Sequence, residues 1–226
     1  MVMNSAPTHH PDSEVLLARA AGGLDPAIAL AVSAHLDLCP RCARRAAMLD
    51  VAGGTVLEQT PPVELSPGAL ERTLDRLDGA ERPVPETAAA AAKLHALGLE
   101  NVPRSLRPLT AAAAEKRGWK RYPGGVSEFL LRKDPHGVEL RYLLVPPGIG
   151  VPRHTHAGTE VTVVVTGAFR DETGVYGRGD LEICTADLTH RPVAGTEEPC
   201  LAFTVINAPL RFTGALGALQ RAFGSA

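Results

Sequence analysis

The 226-residue chain has no run of about 18 apolar residues, the length a membrane-spanning helix needs, so no span is expected. Its opening, MVMNSAPTHHPDSE, has no basic stretch leading into an apolar one, so no secretory leader is expected either. Four cysteines in a chain this long are too few for a disulfide framework, and reduced thiols and a cytoplasmic location are expected. The chain also lacks an excess of charge. Its 23 basic and 25 acidic side chains give a net −2, which excludes a generic electrostatic grip on DNA as the main activity. Residues 1–85 carry −4 and residues 86–226 carry +2, a mildly acidic front suited to a basic protein partner. The length is enough to bury a core in one large or two small domains.

The most informative stretch is His35-Leu36-Asp37-Leu38-Cys39-Pro40-Arg41-Cys42. Helical residues three and four apart share a face, with Cβ atoms about 5–6 Å apart, so His35, Cys39 and Cys42 can converge on one point. Two thiolates and an imidazole suit a tetrahedral, borderline-soft ion, and zinc is its common occupant. The fourth ligand must come from nearby, and His9 and His10 can fold back to supply it. Four protein ligands close the site, which makes it structural, because a catalytic zinc keeps an open position.

Around this stretch the sequence predicts short helices. Asp12 or Ser13 caps a first helix that ends at Gly22-Gly23, and Asp25-Pro26 starts a second that runs into the metal residues. A third helix carries Arg44, Arg45, Met48 and Leu49 up to Gly53-Gly54, and residues 58–66 read as a linker. Ser66-Pro67 starts a further helix with Leu70, Leu74 and Leu77 on one narrow stripe, which must pack in its own bundle or on a partner. Pro83, Pro85, Pro103 and Pro108 bracket an alanine run and read as a tether with little core. Arg41, Arg44 and Arg45 read as a solvated helix face, and His95 and His136 receive no role.

From Trp119 the apolar pattern changes to period two, as in Val138 to Val145, Glu160 to Val165, Leu181 to Cys184 and Leu201 to Ile206. Short strands punctuated by glycines predict a sandwich or barrel, and Ala215 to Phe223 reads as a short helix. Within the strands, Gly148, His154, His156, Glu160 and Gly167 follow the spacing G-x5-H-x-H-x3-E-x6-G. Residues of equal parity face one side of a strand, so His154, His156 and Glu160 are expected to point inward, with His190 as a fourth ligand from another strand. Three imidazoles and a carboxylate suit Zn2+, Fe2+, Mn2+ or Ni2+. Cys184 and Cys200 read as buried small hydrophobes, with a redox role as the alternative.

The HxxxCxxC stretch resembles the zinc-binding anti-sigma domain, and the His9-His10 pair resembles ChrR-type members, whose second domain is a cupin. The HxHxxxE spacing is similar to the first cupin motif at each quoted position. The second motif departs from it, with Thr185 and Asp187 where proline and glycine are common and Ala194 where asparagine is expected. The resemblance implies an α+β multidomain chain: an N-terminal all-α zinc-binding helical domain over 1–85, a linker over 86–110, a C-terminal all-β cupin (double-stranded β-helix or jelly-roll) barrel over 111–213, and a C-terminal helix or tail over 214–226. It implies structural zinc on His10, His35, Cys39 and Cys42, with His10 chosen over His9 because the second of the pair ligates in the family. It also implies a second divalent ion on His154, His156, Glu160 and His190, with Zn2+ first and Fe2+, Mn2+ or Ni2+ as alternatives. The implied function is an anti-sigma factor. The front domain would sequester an extracytoplasmic-function-type sigma factor, and the cupin would trigger its release on an oxidative signal such as singlet oxygen. No catalytic residue, direct nucleic-acid contact or membrane contact is expected. The rival reading is a metal-dependent cupin dioxygenase or isomerase with a zinc-stapled dimerisation domain in front. The eroded second motif and the absence of an evident general base weigh against it.

Overall fold

The computed structural model describes residues 6–78 and 88–213. The helix expected at 215–223, the tail 214–226 and the first two residues of the expected linker lie outside the described residues.

The front helices start where the caps predict. The Asp12 carboxylate accepts from the amide of Val15 at the head of α1 (Ser13–Ala20). Asp25 accepts from Ala27 and Ile28 at the head of α2 (Pro26–Leu38), with Pro26 in the first turn. Pro40 disfavours helical backbone in the residue before it, and Cys39 is extended (φ −119°, ψ 95°). That one residue makes an elbow between α2 and α3 (Pro40–Gln59). Gly53-Gly54 does not end α3, which runs its full 20 residues. Each mid-helix glycine costs only about 1 kcal/mol against alanine, which the flanking helix formers can absorb. The helices α4 (Ala69–Asp78), α5 (Ala88–Ala96) and α6 (Arg107–Ala114) follow.

The strands are β1 (Lys120–Arg121), β2 (Ser127–Lys133), β3 (Glu139–Val145), β4 (His154–His156), β5 (Glu160–Thr166), β6 (Ala168–Arg170), β7 (Val175–Gly177), β8 (Leu181–Cys184), β9 (Thr189–His190), β10 (Val193–Ala194), β11 (Cys200–Ile206) and β12 (Leu210–Phe212). They form a six-stranded sheet in the order β1-β2-β3-β11-β5-β8 and two three-stranded sheets, β10-β6-β7 and β12-β4-β9. Every pairing is antiparallel. This helical front and all-β rear match the fold class expected from the sequence.

Strand alternation gives the large sheet two apolar faces. Phe129, Tyr142, Val163 and Phe203 point one way and share a core with Leu16, Ala31, Val32 and Ala34 of the front helices. Val145, Val164 and Cys200 point the other way and join Phe169 and Tyr176 inside the barrel. The same outer core takes in Leu94, Leu99, Val102 and Leu106, each at most 3% exposed. Residues 88–110 are therefore no tether with little core. Their leucines cover the sheet as α5, the turn at Arg104–Leu106 and α6. A front unit with a core of its own is likewise not what forms, because α2 packs directly on β5 and β11.

Candidate metal centres

The first centre sits at the α2–α3 elbow. His35 is fully buried near the end of α2, Cys39 is the elbow residue and Cys42 lies in the first turn of α3. The segment before α1 brings in His10, whose Nδ1 lies 3.5 Å from the Cys39 Sγ and 3.4 Å from the Cys42 Sγ. One donor atom from each of these four residues falls within 4.8 Å of the others. His9 takes no part. It points to Asp180 at 3.4 Å and packs on Tyr176.

Protonation favours a cation at this centre. His35 Nδ1 lies 2.6 Å from the carbonyl oxygen of Gly179. A carbonyl only accepts, so Nδ1 carries the proton and Nε2 presents a lone pair. That Nε2 is buried and has no hydrogen-bond partner. Burial lowers the His35 pKa, and burial with Arg41 nearby lowers that of His10, so both rings are neutral and able to ligate. Burial and the neighbouring Cys39 push the Cys42 thiol up to about 11. A metal taking that sulfur must displace its proton, so metal retention should weaken as pH falls.

The second centre lies inside the barrel. His154 and His156 are on β4, and His154 pairs in register with His190 on β9. Glu160 opens β5 and reaches the same point from the large sheet, its Oε2 3.3 Å from His156 Nδ1. All four residues are buried, with ligand atoms within 4.8 Å of one another. The Nε2 of His190 is 3.2 Å from the Nε2 of both His154 and His156. His154 Nδ1 donates to the Pro152 carbonyl at 2.7 Å, and His190 Nδ1 donates to the Asp171 carboxylate at 2.7 Å. Their Nε2 atoms therefore hold lone pairs that face one another, an arrangement a cation relieves. Burial opposes the charge on Glu160, but the neighbouring His154, His156 and Arg141 outweigh it, and its pKa is lowered. The donor set suits a divalent ion.

Behind His190 lies a carboxyl pair that the sequence did not disclose. Asp171 stays ionised: burial opposes this, but hydrogen bonds from Thr173 and His190 lower its pKa. Glu182, on β8, is pushed up to about 8 by burial and by the charge of Asp171. The only visible signal was a carboxylate on the otherwise apolar strand LEIC. Cys184 lies on the same strand, 3.9 Å from His190 Nδ1, and burial raises its pKa, so it is a thiol rather than a reactive thiolate. Cys200 is also buried and pushed up to about 12.

Comparison with known proteins places the chain in a family. The family described as "ChrR Cupin-like domain" matches residues 109–209. The Anti-sigma-E factor ChrR of Cereibacter sphaeroides is 39% identical over 218 residues, covering 95% of this chain and 97% of that protein. The crystal structure of Rhodobacter sphaeroides SigE in complex with the anti-sigma ChrR superposes with a TM-score of 0.66 at 37% identity, covering 88% of this chain and 98% of that one. The chain belongs to the family of ChrR-type anti-sigma factors.

Proposed function

We propose that this chain is an anti-sigma factor whose front helices, within residues 1–85, sequester an extracytoplasmic-function-type sigma factor, and whose barrel, within residues 111–213, receives an oxidative signal that releases it. The observation that carries the reading is an unpartnered apolar surface on α3 and α4. Met48, Val51, Leu70, Leu74 and Leu77 are 50–73% exposed. Side chains of this size at helical spacing fit a helix-in-groove partner, and the exposure speaks against packing within their own bundle. The solved relative supports the same reading, since it is a complex of the anti-sigma ChrR with SigE.

In this reading His10, His35, Cys39 and Cys42 hold one structural Zn2+, which fixes the α2–α3 elbow and thereby the direction of the docking helix. His154, His156, Glu160 and His190 hold the second ion. Zn2+ fits first, with Fe2+, Mn2+ and Ni2+ as the other outcomes of elemental analysis. Asp171 orients His190 for that ion, so Asp171→Ala should weaken barrel metal binding by about 10–100-fold in competition with a chromophoric chelator. Unchanged affinity would rule that role out.

The function is tested with the purified full chain and a candidate extracytoplasmic-function-type sigma factor from the same genome. A stable complex should form, and transcription from a promoter of that sigma factor should fall when core polymerase is added last. Failure to bind and inhibit, by a chain that is folded and metal-loaded, would overturn the reading.

A further inference from the structure

The two imidazoles of the front centre are braced by the barrel, and its two sulfurs are not. Cys39 and Cys42 are set by the α2–α3 elbow alone. His10 has no regular element of its own, because α1 begins only at Ser13. What holds the segment before it is Asp180, in the turn between β7 and β8. Its carboxylate accepts from the amide of Thr8 at 2.5 Å, from the amide of His9 at 2.8 Å and from the amide of Gly177 at 2.7 Å. The amide of Leu181 closes the clamp by donating to the His9 carbonyl at 3.2 Å. The Asp180 side chain is only 4% exposed, so these are the partners that compensate its buried charge.

The residue beside it holds the second imidazole, through the hydrogen bond from His35 Nδ1 to the Gly179 carbonyl. Gly179 has φ +87°, and a Cβ there would stand 2.6 Å from Pro7 Cγ and 3.2 Å from Leu38 Cβ. Glycine is needed both for its backbone conformation and for this close approach of the barrel turn to the front centre.

We propose that the β7–β8 turn of the barrel is the outer shell of the front metal centre, with Asp180 as the positioning residue for His10 and the Gly179 carbonyl as the partner that orients His35. The inference rests on the reading that the front centre holds zinc. It makes metal retention at the helical end a property of the whole chain. An outer partner that fixes the orientation of a ligand typically accounts for about 10–100-fold in metal affinity.

The test uses the full-length, zinc-loaded protein and follows transfer of zinc to 4-(2-pyridylazo)resorcinol. The phase belonging to the front centre is the one missing from Cys42→Ser. Asp180→Asn removes the charge from the clamp. Thr8→Pro removes two donors from the other side, the amide and the hydroxyl of Thr8, and leaves the barrel sequence untouched. Both should speed the front phase, Asp180→Asn by about 10–100-fold, while the barrel phase stays close to wild type. An unchanged front phase in both variants would overturn the proposal, as would equal acceleration of both phases, which would signal general loosening. If Cys42→Ser loses no zinc relative to wild type, the front-centre reading fails, and this inference fails with it.

Discussion

Cys42→Ser is expected to strip the front centre of its metal and to abolish capture of the sigma factor. A serine hydroxyl is a poor zinc ligand at neutral pH, and the other three donors cannot close a tetrahedral shell. Apparent binding energies of structural zinc in small domains are about 10–16 kcal/mol, so losing such a site matters more than most single core substitutions. The loss acts at the elbow. Cys39 accepts no side-chain cap role at the head of α3, and Pro40 leaves that turn without one of its amide donors. Without the metal, the angle between α2 and α3 is held by packing and by the surface contacts of α3 with α1, Arg19–Asp50 and Arg45–Ser13. The exposed residues Met48 and Val51 on α3 would then no longer be presented in a fixed direction. Metal content should drop by one equivalent, and binding to the sigma factor should fall by more than about 100-fold, roughly 3 kcal/mol. Full metal content, or wild-type binding without it, would sink the prediction.

His190→Ala should have the opposite phenotype: inhibition retained and release lost. His190 occupies the middle of the barrel set, 3.2 Å from both other imidazoles. Its removal takes away a ligand and also leaves the ionised Asp171 without its imidazole partner. The affinity loss should therefore exceed the about 10–100-fold expected for an outer partner. The front centre keeps its own four donors and the β7–β8 turn. The variant should bind the sigma factor as the wild type does, yet fail to release it when exposed to photosensitised singlet oxygen. Release without any oxidant would instead assign the barrel metal to stabilising the bound state. A normal response would make that metal purely structural and move attention to Cys184 and Cys200.

The metal-capable sets were legible because their donors are close in sequence. HxxxCxxC and HxHxxxE each hold their donors within a few residues, although Cys39 leaves the helix at the elbow and Glu160 arrives on another strand, and His190 needed only one further strand. What supports those donors was not legible. Asp171, Asp180 and the Gly179 carbonyl act on residues between 19 and 172 positions away, and no local pattern announces such pairs. The shared core was hidden for a related reason. Ala27, Ala31 and Ala34 on α2 are small, and small residues permit close packing on a sheet without signalling it. Prolines and alanines made residues 86–110 resemble a tether, while four well-spaced apolar residues, Leu94, Leu99, Val102 and Leu106, bind them to the core. Gly53-Gly54 misled in the same direction, since a propensity cost is a weak veto when the helix continues on both sides.

The packing of α2 on β11 also sets an order of events at the ribosome. β11, the later of the two strands that cover α2, is synthesised roughly 170 residues after it, a delay of about 10–30 s at ordinary translation speeds. Until that strand is made the core face of α2 around Val32 is incompletely covered, and for most of the interval the Gly179 carbonyl that orients His35 does not yet exist. The thiol-bearing elbow is available to metal from the start, whereas the imidazole side of the centre locks only when the barrel closes. Front-centre maturation is therefore a late step in biogenesis, and a chain truncated before β8 would leave the ribosome with a metal site that is only half assembled.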